Sequence, residues 1–116
     1  MKDEIKAKWT KALRSGQYEQ GQRYLNNNNK LCCLGVLCEI AFKEGFEIKR
    51  TFDSYRVGYG EEEHSRFLPY ELSDSEDYKI GTRSCSRLMG MNDEGTSFEE
   101  IADYIDKMDL TKGQYL

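Results

Sequence analysis

The segment from Lys30 to Ala41 constrains the fold more than any other part of the chain. Three of the four cysteines and the strongest apolar run fall within it. From Leu34 to Phe42 apolar side chains occur on nearly every side of a helix, which is typical of a buried helix. Gly45 follows where a helix commonly ends. The sequence therefore predicts a central helix from Leu34 to Lys43, around which the other elements pack.

Two more helices are predicted near the ends of the chain. Between Lys2 and Ser15 apolar residues recur at the spacing of one helix face, and Gly16 can end that helix. Near the other end, Thr96 to Glu99 has the form of a capping box and precedes a second apolar stripe. This pattern predicts a helix over residues 97–108, and a shorter helix is expected at residues 84–89.

The segments between the helices predict turns and a small β structure. Asn26 to Asn29 tolerate turn conformations, and residues 46–60 alternate weakly, as in a two-stranded antiparallel ribbon. Asn92 to Gly95 indicates a turn before the last helix. We therefore expect one α+β domain spanning residues 1–116, with about three main helices around a buried central helix and a small antiparallel β ribbon.

Composition excludes several classes of function. No apolar run approaches the roughly 20 residues of a membrane helix, and no signal-peptide core is visible, so we expect a cytoplasmic protein. The net charge of −4 and the absence of a Lys/Arg block argue against broad nucleic-acid binding. A small phosphorylated ligand stays compatible with this balance, because a few arginines can hold one.

The pattern of the cysteines predicts that they pack in the core rather than act in catalysis or metal binding. Cys33 precedes a helix whose N-terminus can lower a thiol pKa, as in cysteine hydrolases, but the single histidine, His64, lies in an acidic loop. We expect buried free thiols and no enzyme. Metal binding by the cysteines lacks the usual C-x-x-C pairs, and Asn92 to Gly95 lacks the ligand spacing of a calcium loop. No metal and no cofactor are expected.

One group of polar and aromatic residues suggests a ligand site. Trp or Tyr can stack on a base and Arg can hold a phosphate in a forked contact, and both types cluster early in the chain. The candidate ligand-binding residues are Trp9, Arg14, Tyr18, Gln20 and Arg23. In the alternative interpretation Trp9 belongs to the core, Arg14 stabilises the end of its helix, and Tyr18 with Gln20 holds the following loop.

The order of several short motifs resembles a family of small proteins, mostly uncharacterised, that tailed bacteriophages encode. The motifs span nearly the whole chain. Residues 46–66 and 72–83 are the segments in which no fixed pattern is recognised. The motifs are Trp9 with Ala12-Leu13-Arg14-Ser15-Gly16, Tyr18 and Gln20; Cys32-Cys33-Leu34-Gly35-Val36-Leu37-Cys38; Leu68-Pro69; and Asn92-Asp93-Glu94-Gly95 with Ser97-Phe98 and Ile101-Ala102. The resemblance implies a bacteriophage source rather than a reaction. Small accessory phage proteins often counter host defences, by blocking a defence protein or by sequestering a nucleotide immune signal.

Two hypotheses of function follow. In the first, the chain is a non-enzymatic anti-defence protein that binds and sequesters a small nucleotide-like immune signal; in one form of this hypothesis a homo-oligomer interface completes the pocket. In the second, it inhibits a host defence or replication enzyme through an acidic surface. That surface would carry Glu99, Glu100, Asp103 and Asp106, together with Asp74, Glu76 and Asp77.

Overall fold

The computed structural model describes residues 1–53, 55–63, 65–108 and 110. Within them the chain forms five helices and a five-stranded sheet, so the prediction of an α+β fold is confirmed. The helices are α1 (Asp3–Arg14), α2 (Cys33–Lys43), α3 (Tyr70–Ser73), α4 (Thr82–Asp93) and α5 (Phe98–Lys107). The strands are β1 (Glu19–Gln20), β2 (Asn26–Asn27), β3 (Lys30–Leu31), β4 (Arg50–Asp53) and β5 (Arg56–Tyr59). None of the helices in this part of the chain is long and apolar enough to cross a membrane.

The β structure is larger than the predicted ribbon. Strands β4 and β5 form the expected antiparallel pair, but β5 also pairs with β2, so the strand order is β1-β3-β2-β5-β4. Strands β2 and β3 form a hairpin whose turn residues, Asn28 and Asn29, have φ of 55° and 64°. Asparagine tolerates this left-handed conformation, which hairpin turns of this kind require. Ser54, in the predicted β4–β5 turn, and His64 lie outside the described residues.

Helix α2 is buried over most of its length. Every residue from Cys33 to Ala41 is buried, because α1 and α4 pack against it. The helix begins one residue earlier than the sequence predicts, since Cys32 is the N-cap and its Sγ accepts a hydrogen bond from the Gly35 N–H at 3.4 Å. Helix α1 packs mainly against α5, which brings the two ends of the chain together.

The second half of the chain departs further from the predictions. Helix α4 has 12 residues instead of the short helix expected, and Asn92 and Asp93 belong to its last turn. The turn predicted from Asn92 to Gly95 is therefore confined to Glu94 and Gly95. The burial of Asn92 explains the difference, because its side chain is hydrogen-bonded inside the protein. The cap of α5 is displaced by one residue: Ser97 is the N-cap, and its Oγ accepts from the Glu100 N–H at 3.2 Å.

Gly35 allows the closest contact between α2 and the rest of the fold. A Cβ added at Gly35 would lie 1.8 Å from the Leu25 carbonyl oxygen, well inside van der Waals contact. Leu25 is itself fully buried, and its N–H donates to the Ser65 carbonyl at 2.7 Å. The backbone at Leu25 is therefore fixed on both sides and has no room to withdraw from a larger residue.

We predict that Gly35→Ala lowers the free energy of unfolding by about 3 kcal/mol or more, since the methyl group forces α2 away from Leu25. The matched control is Gly90→Ala, a helical glycine in α4 whose added Cβ would meet nothing within 4 Å. That change should stabilise the protein by up to about 1 kcal/mol. Urea unfolding followed by Trp9 fluorescence compares the two, and equal stabilities for the two variants would contradict this packing.

Candidate functional site

Gln20, one of the predicted ligand-binding residues, is fully engaged in a network with Asn92. The Gln20 Nε2 donates to Asn92 Oδ1 at 3.0 Å and to the Thr96 carbonyl at 2.7 Å. Its Oε1 accepts from the Phe98 N–H at 3.1 Å. These bonds join β1 to the end of α4 and the start of α5. Gln20 therefore has a structural role, and it joins distant elements rather than the following loop that the alternative interpretation names.

Trp9 belongs to the core rather than to a ligand site, which corrects its assignment. Its side chain is 0% exposed, and the indole Nε1 donates to the Cys33 carbonyl at 2.9 Å. Ile5 and Leu13 are buried on the same face of α1. The ring has no face left for a base, because the apolar side of α1 packs into the interior.

Arg14 joins α1 to α5. Its Nη2 donates to Asp103 Oδ1 at 2.8 Å and to Asp106 Oδ2 at 2.6 Å. The hydrogen bond to Asp103 and then that to Asp106 raise the pKa of the guanidinium above its ordinary value. Both bonds are exposed to solvent, but a phosphate would have to compete with two carboxylates for this charge. Arg14 is thus poorly placed to hold an anionic ligand.

Tyr18 lies apart from the other candidates. Its hydroxyl accepts from Lys43 Nζ at 2.8 Å, which links the segment after α1 to the end of α2. The ring is half-buried against the core. Among the five predicted residues, the structure brings only Gln20 and Arg23 to one surface cavity.

That cavity, which we call the Arg23 pocket, has a volume of about 380 Å³ and lies beside β2 and β3. Arg23 has φ of 72°, and its N–H donates to Asp93 Oδ1 at 2.8 Å, so the backbone holds the exposed side chain at the rim. Lys30 adds a second cation, whose Nζ lies 3.9 Å from Glu19 Oε1. The lining residues are Gln20, Gly21, Gln22, Arg23, Asn27, Lys30 and Asp93.

A cluster of arginines and tyrosines lies next to this pocket. The Arg56 guanidinium carbon is 3.9 Å from the centre of the Tyr24 ring and 5.7 Å from that of Tyr55. The Arg66 guanidinium carbon lies 5.3 Å from the same Tyr24 ring. We call Tyr24, Tyr55, Arg56 and Arg66 the Arg–Tyr cluster. Stacking on a ring fixes a guanidinium while leaving its N–H groups free to bind an anion.

The pocket and the cluster form one surface because Asn27 and Arg56 are cross-strand partners in the β2–β5 pair. Directly opposed residues of an antiparallel pair project from the same face of the sheet. Asn27 Oδ1 and Arg56 Nε are buried and have no hydrogen-bond partner among the described residues. An unsatisfied acceptor and an unsatisfied donor thus lie side by side, where a hydroxyl group or a water molecule can satisfy both.

The sequence interpretation missed Asn27, Lys30, Tyr24 and the two arginines of the cluster. Arg56 and Arg66 come from the region in which no family pattern was recognised. The β2–β5 pairing brings Arg56 to Tyr24, and the bond from the Leu25 N–H to the Ser65 carbonyl holds the segment next to Arg66 beside it. The alternation of arginine and tyrosine in Arg23-Tyr24 and Tyr55-Arg56 is a local signal of shared chemistry. It does not reveal that the two pairs meet.

The cysteines are free thiols in the described structure, and burial makes them weak nucleophiles. Burial raises the pKa of Cys32 and of Cys85 to about 11 and that of Cys33 and Cys38 well above the ordinary value. An attacking thiolate needs the opposite shift. Among residues 1–53, 55–63, 65–108 and 110, no three His, Cys, Asp or Glu side chains are grouped closely enough to hold a metal ion.

Comparison with known proteins gives one match. Residues 1–75, which include α1 to α3 and all five strands, match the model of a family described as a domain of unknown function (DUF8296). No curated protein and no solved structure matches the chain significantly. The matched segment contains the whole Arg–Tyr cluster. It also contains every residue of the Arg23 pocket except Asp93.

We predict that the free energy of unfolding falls as the pH rises above about 9. The unfolded thiols ionise there, whereas the folded thiols keep their protons because their pKa values are raised, so the unfolded state binds fewer protons. Each fully buried thiol contributes a slope of up to about 1.4 kcal/mol per pH unit. Cys38→Ala should make the fall shallower in urea unfolding between pH 8 and 10. Parallel profiles for the two proteins would refute this assignment.

Proposed function

The chain belongs to the DUF8296 family, and we propose that it is a phage accessory protein that binds and sequesters a small nucleotide-like immune signal in the host cytoplasm. The Arg–Tyr cluster beside the Arg23 pocket is the observation that carries this proposal. The resemblance of the chain to phage-encoded proteins supports the proposed phage origin. The structural roles found for Trp9, Arg14 and Tyr18 move the proposed site to the outer face of the sheet.

The two parts of the site suit the two parts of a nucleotide. Arg23 and Lys30 at the rim of the pocket can bind phosphate oxygens, since an arginine fork matches their geometry. Tyr55 is 58% exposed and presents its ring to a base. Between them, Asn27 Oδ1 and Arg56 Nε can pair with a ribose hydroxyl after a small side-chain movement.

The charges around the site favour a small anion over a nucleic-acid strand. Arg23, Lys30, Arg56 and Arg66 concentrate positive charge on one surface of a chain whose net charge is −4. Of these four side chains, only Lys30 forms an ion pair among the described residues. The carboxylates of Asp93 and Glu19 border the pocket, so the positive field is local and would not extend along a polymer backbone.

Inhibition of a host enzyme through an acidic surface is the second proposal, and the structure assigns other roles to part of that surface. Asp103 and Asp106 are paired with Arg14, and the Glu100 N–H is bonded to the Ser97 cap. Among the acidic residues of α5, Glu99 is exposed in the first turn and forms none of these bonds. Glu99→Lys therefore tests the inhibitor proposal with the least damage to the fold.

We predict that the protein binds a member of a panel of cyclic oligonucleotides and ADP-ribose derivatives in isothermal titration calorimetry. Arg56→Ala and Arg23→Ala should each weaken binding about tenfold or more, because each removes a charge-assisted contact to the ligand. Arg56→Lys should not restore affinity fully, because lysine lacks the planar fork that stacks on Tyr24.

The matched control is Arg83→Ala, which removes an exposed arginine of the same charge from the first turn of α4, outside the site. It should bind as tightly as the unmodified protein. Equal losses for Arg83→Ala and Arg56→Ala would show that binding follows total charge alone. The absence of any binding across the panel would argue against the nucleotide proposal, and Glu99→Lys would then be compared in a pull-down of host proteins.

A further inference from the structure

Strand β4 is one edge of the sheet, and part of its backbone is unpaired. On its inner side Thr51 lies opposite Gly58, and the Gly60 N–H donates to the Lys49 carbonyl at 2.8 Å. Hydrogen-bonded pairs alternate along an antiparallel ladder, so Thr51 directs its backbone groups to β5 while Arg50 and Phe52 direct theirs outward. No other backbone group in the described chain bonds to the outward groups of Arg50 or Phe52.

The exposure of Phe52 indicates that this edge of the sheet lacks a pairing strand. It lies opposite Val57 and therefore projects from the same face of the sheet, yet Val57 is 4% exposed and Phe52 is 71% exposed. The difference arises because β5 has a strand on each side and β4 has one on a single side. A large apolar side chain on an open strand edge is a site where another strand gains from pairing.

The sequence of this edge is complementary to itself. In an antiparallel pair of two copies, the outward residues must face each other, which leaves registers centred on Arg50, Thr51 or Phe52. Centred on Arg50, the pairing sets Arg50 opposite Arg50 of the second copy, which is a like-charge contact. Centred on Thr51, the pairing sets Lys49 opposite Asp53 of the second copy and Arg50 opposite Phe52 of the second copy, and each contact occurs twice. Centred on Phe52, it sets Asp53 opposite Thr51, without a charge pair. The Arg50 guanidinium is already bonded to Glu39 and lies 4.1 Å from the centre of the Phe42 ring within its own chain. The two Lys49–Asp53 charge pairs therefore select the register centred on Thr51.

We propose that β4 pairs with β4 of a second copy in this register, so that the protein forms a two-fold symmetric homodimer whose sheet continues across the interface. The strand that pairs with β4 belongs to a second copy of this chain, because the residues that complement Lys49 and Asp53 are Asp53 and Lys49 themselves. The proposal is separate from ligand binding, since Lys49 and the outward residues Arg50 and Phe52 belong neither to the Arg23 pocket nor to the Arg–Tyr cluster. Asp53 lies opposite Arg56 of the cluster within the same chain, so Lys49→Glu is the variant that changes the interface alone.

A charge exchange tests the register by sedimentation velocity over a concentration series. The unmodified protein should show a monomer–dimer equilibrium. Lys49→Glu and Asp53→Lys should each weaken dimerisation at least about tenfold, because each creates two like-charge pairs. The double variant should recover dimerisation to within a few-fold. A monomer at all concentrations, or single variants indistinguishable from the unmodified protein, would overturn the proposal.

Disulfide trapping gives a second readout that does not depend on charge. Thr51 faces itself across the two-fold axis in a non-hydrogen-bonded pair, where Cα atoms lie about 4.5 Å apart and a disulfide can form. Thr51→Cys in a Cys85→Ser background should give a covalent dimer on mild oxidation. Phe52→Cys in the same background should not, because its counterpart lies two residues away along the strand. Equal trapping of both variants, or of neither, would overturn the register.

Discussion

The side chain of Asn92 is the point on which the arrangement of elements depends. Its Oδ1 accepts from the Cys33 N–H at 3.2 Å and from Gln20 Nε2, and its Nδ2 donates to the Gly21 carbonyl at 2.8 Å. One fully buried amide thus connects the start of α2, strand β1 and the end of α4. The Cys33 N–H is among those that a helix leaves unpaired at its start, so without Asn92 a buried donor would have no partner.

This network gives a structural role to the motifs on which the proposed phage origin rests. Trp9 bonds to Cys33, Cys32 caps α2, Gly35 allows contact with Leu25, and Gln20 meets Asn92. These residues place the central helix against the sheet and the last two helices. The recognisable pattern therefore describes how the chain folds, whereas the surface proposed for ligand binding takes Arg56 and Arg66 from the segment where no fixed pattern was recognised.

Local periodicity was sufficient to predict α1, α2 and α5, because each has an apolar face that the sequence displays directly. The turn predicted from Asn92 to Gly95 begins only at Glu94, because the residue types favour a turn in isolation, while burial and three hydrogen bonds hold Asn92 in α4. The Arg23 part of the site could be found from neighbouring residues. Its Arg56 part could not, since it requires the β2–β5 pairing, which joins residues far apart in the chain.

The most direct test of the proposed site is mass spectrometry of small molecules released by heat from the purified protein. The protein is first incubated with lysates of bacteria in which nucleotide-signalling defences have been triggered. We expect a stoichiometric nucleotide from the unmodified protein and from Arg83→Ala, and its loss from the Arg23→Ala, Arg56→Ala double variant. Release of no nucleotide from the unmodified protein, or equal release from the double variant, would contradict the assignment of the Arg23 pocket and the Arg–Tyr cluster as the functional surface.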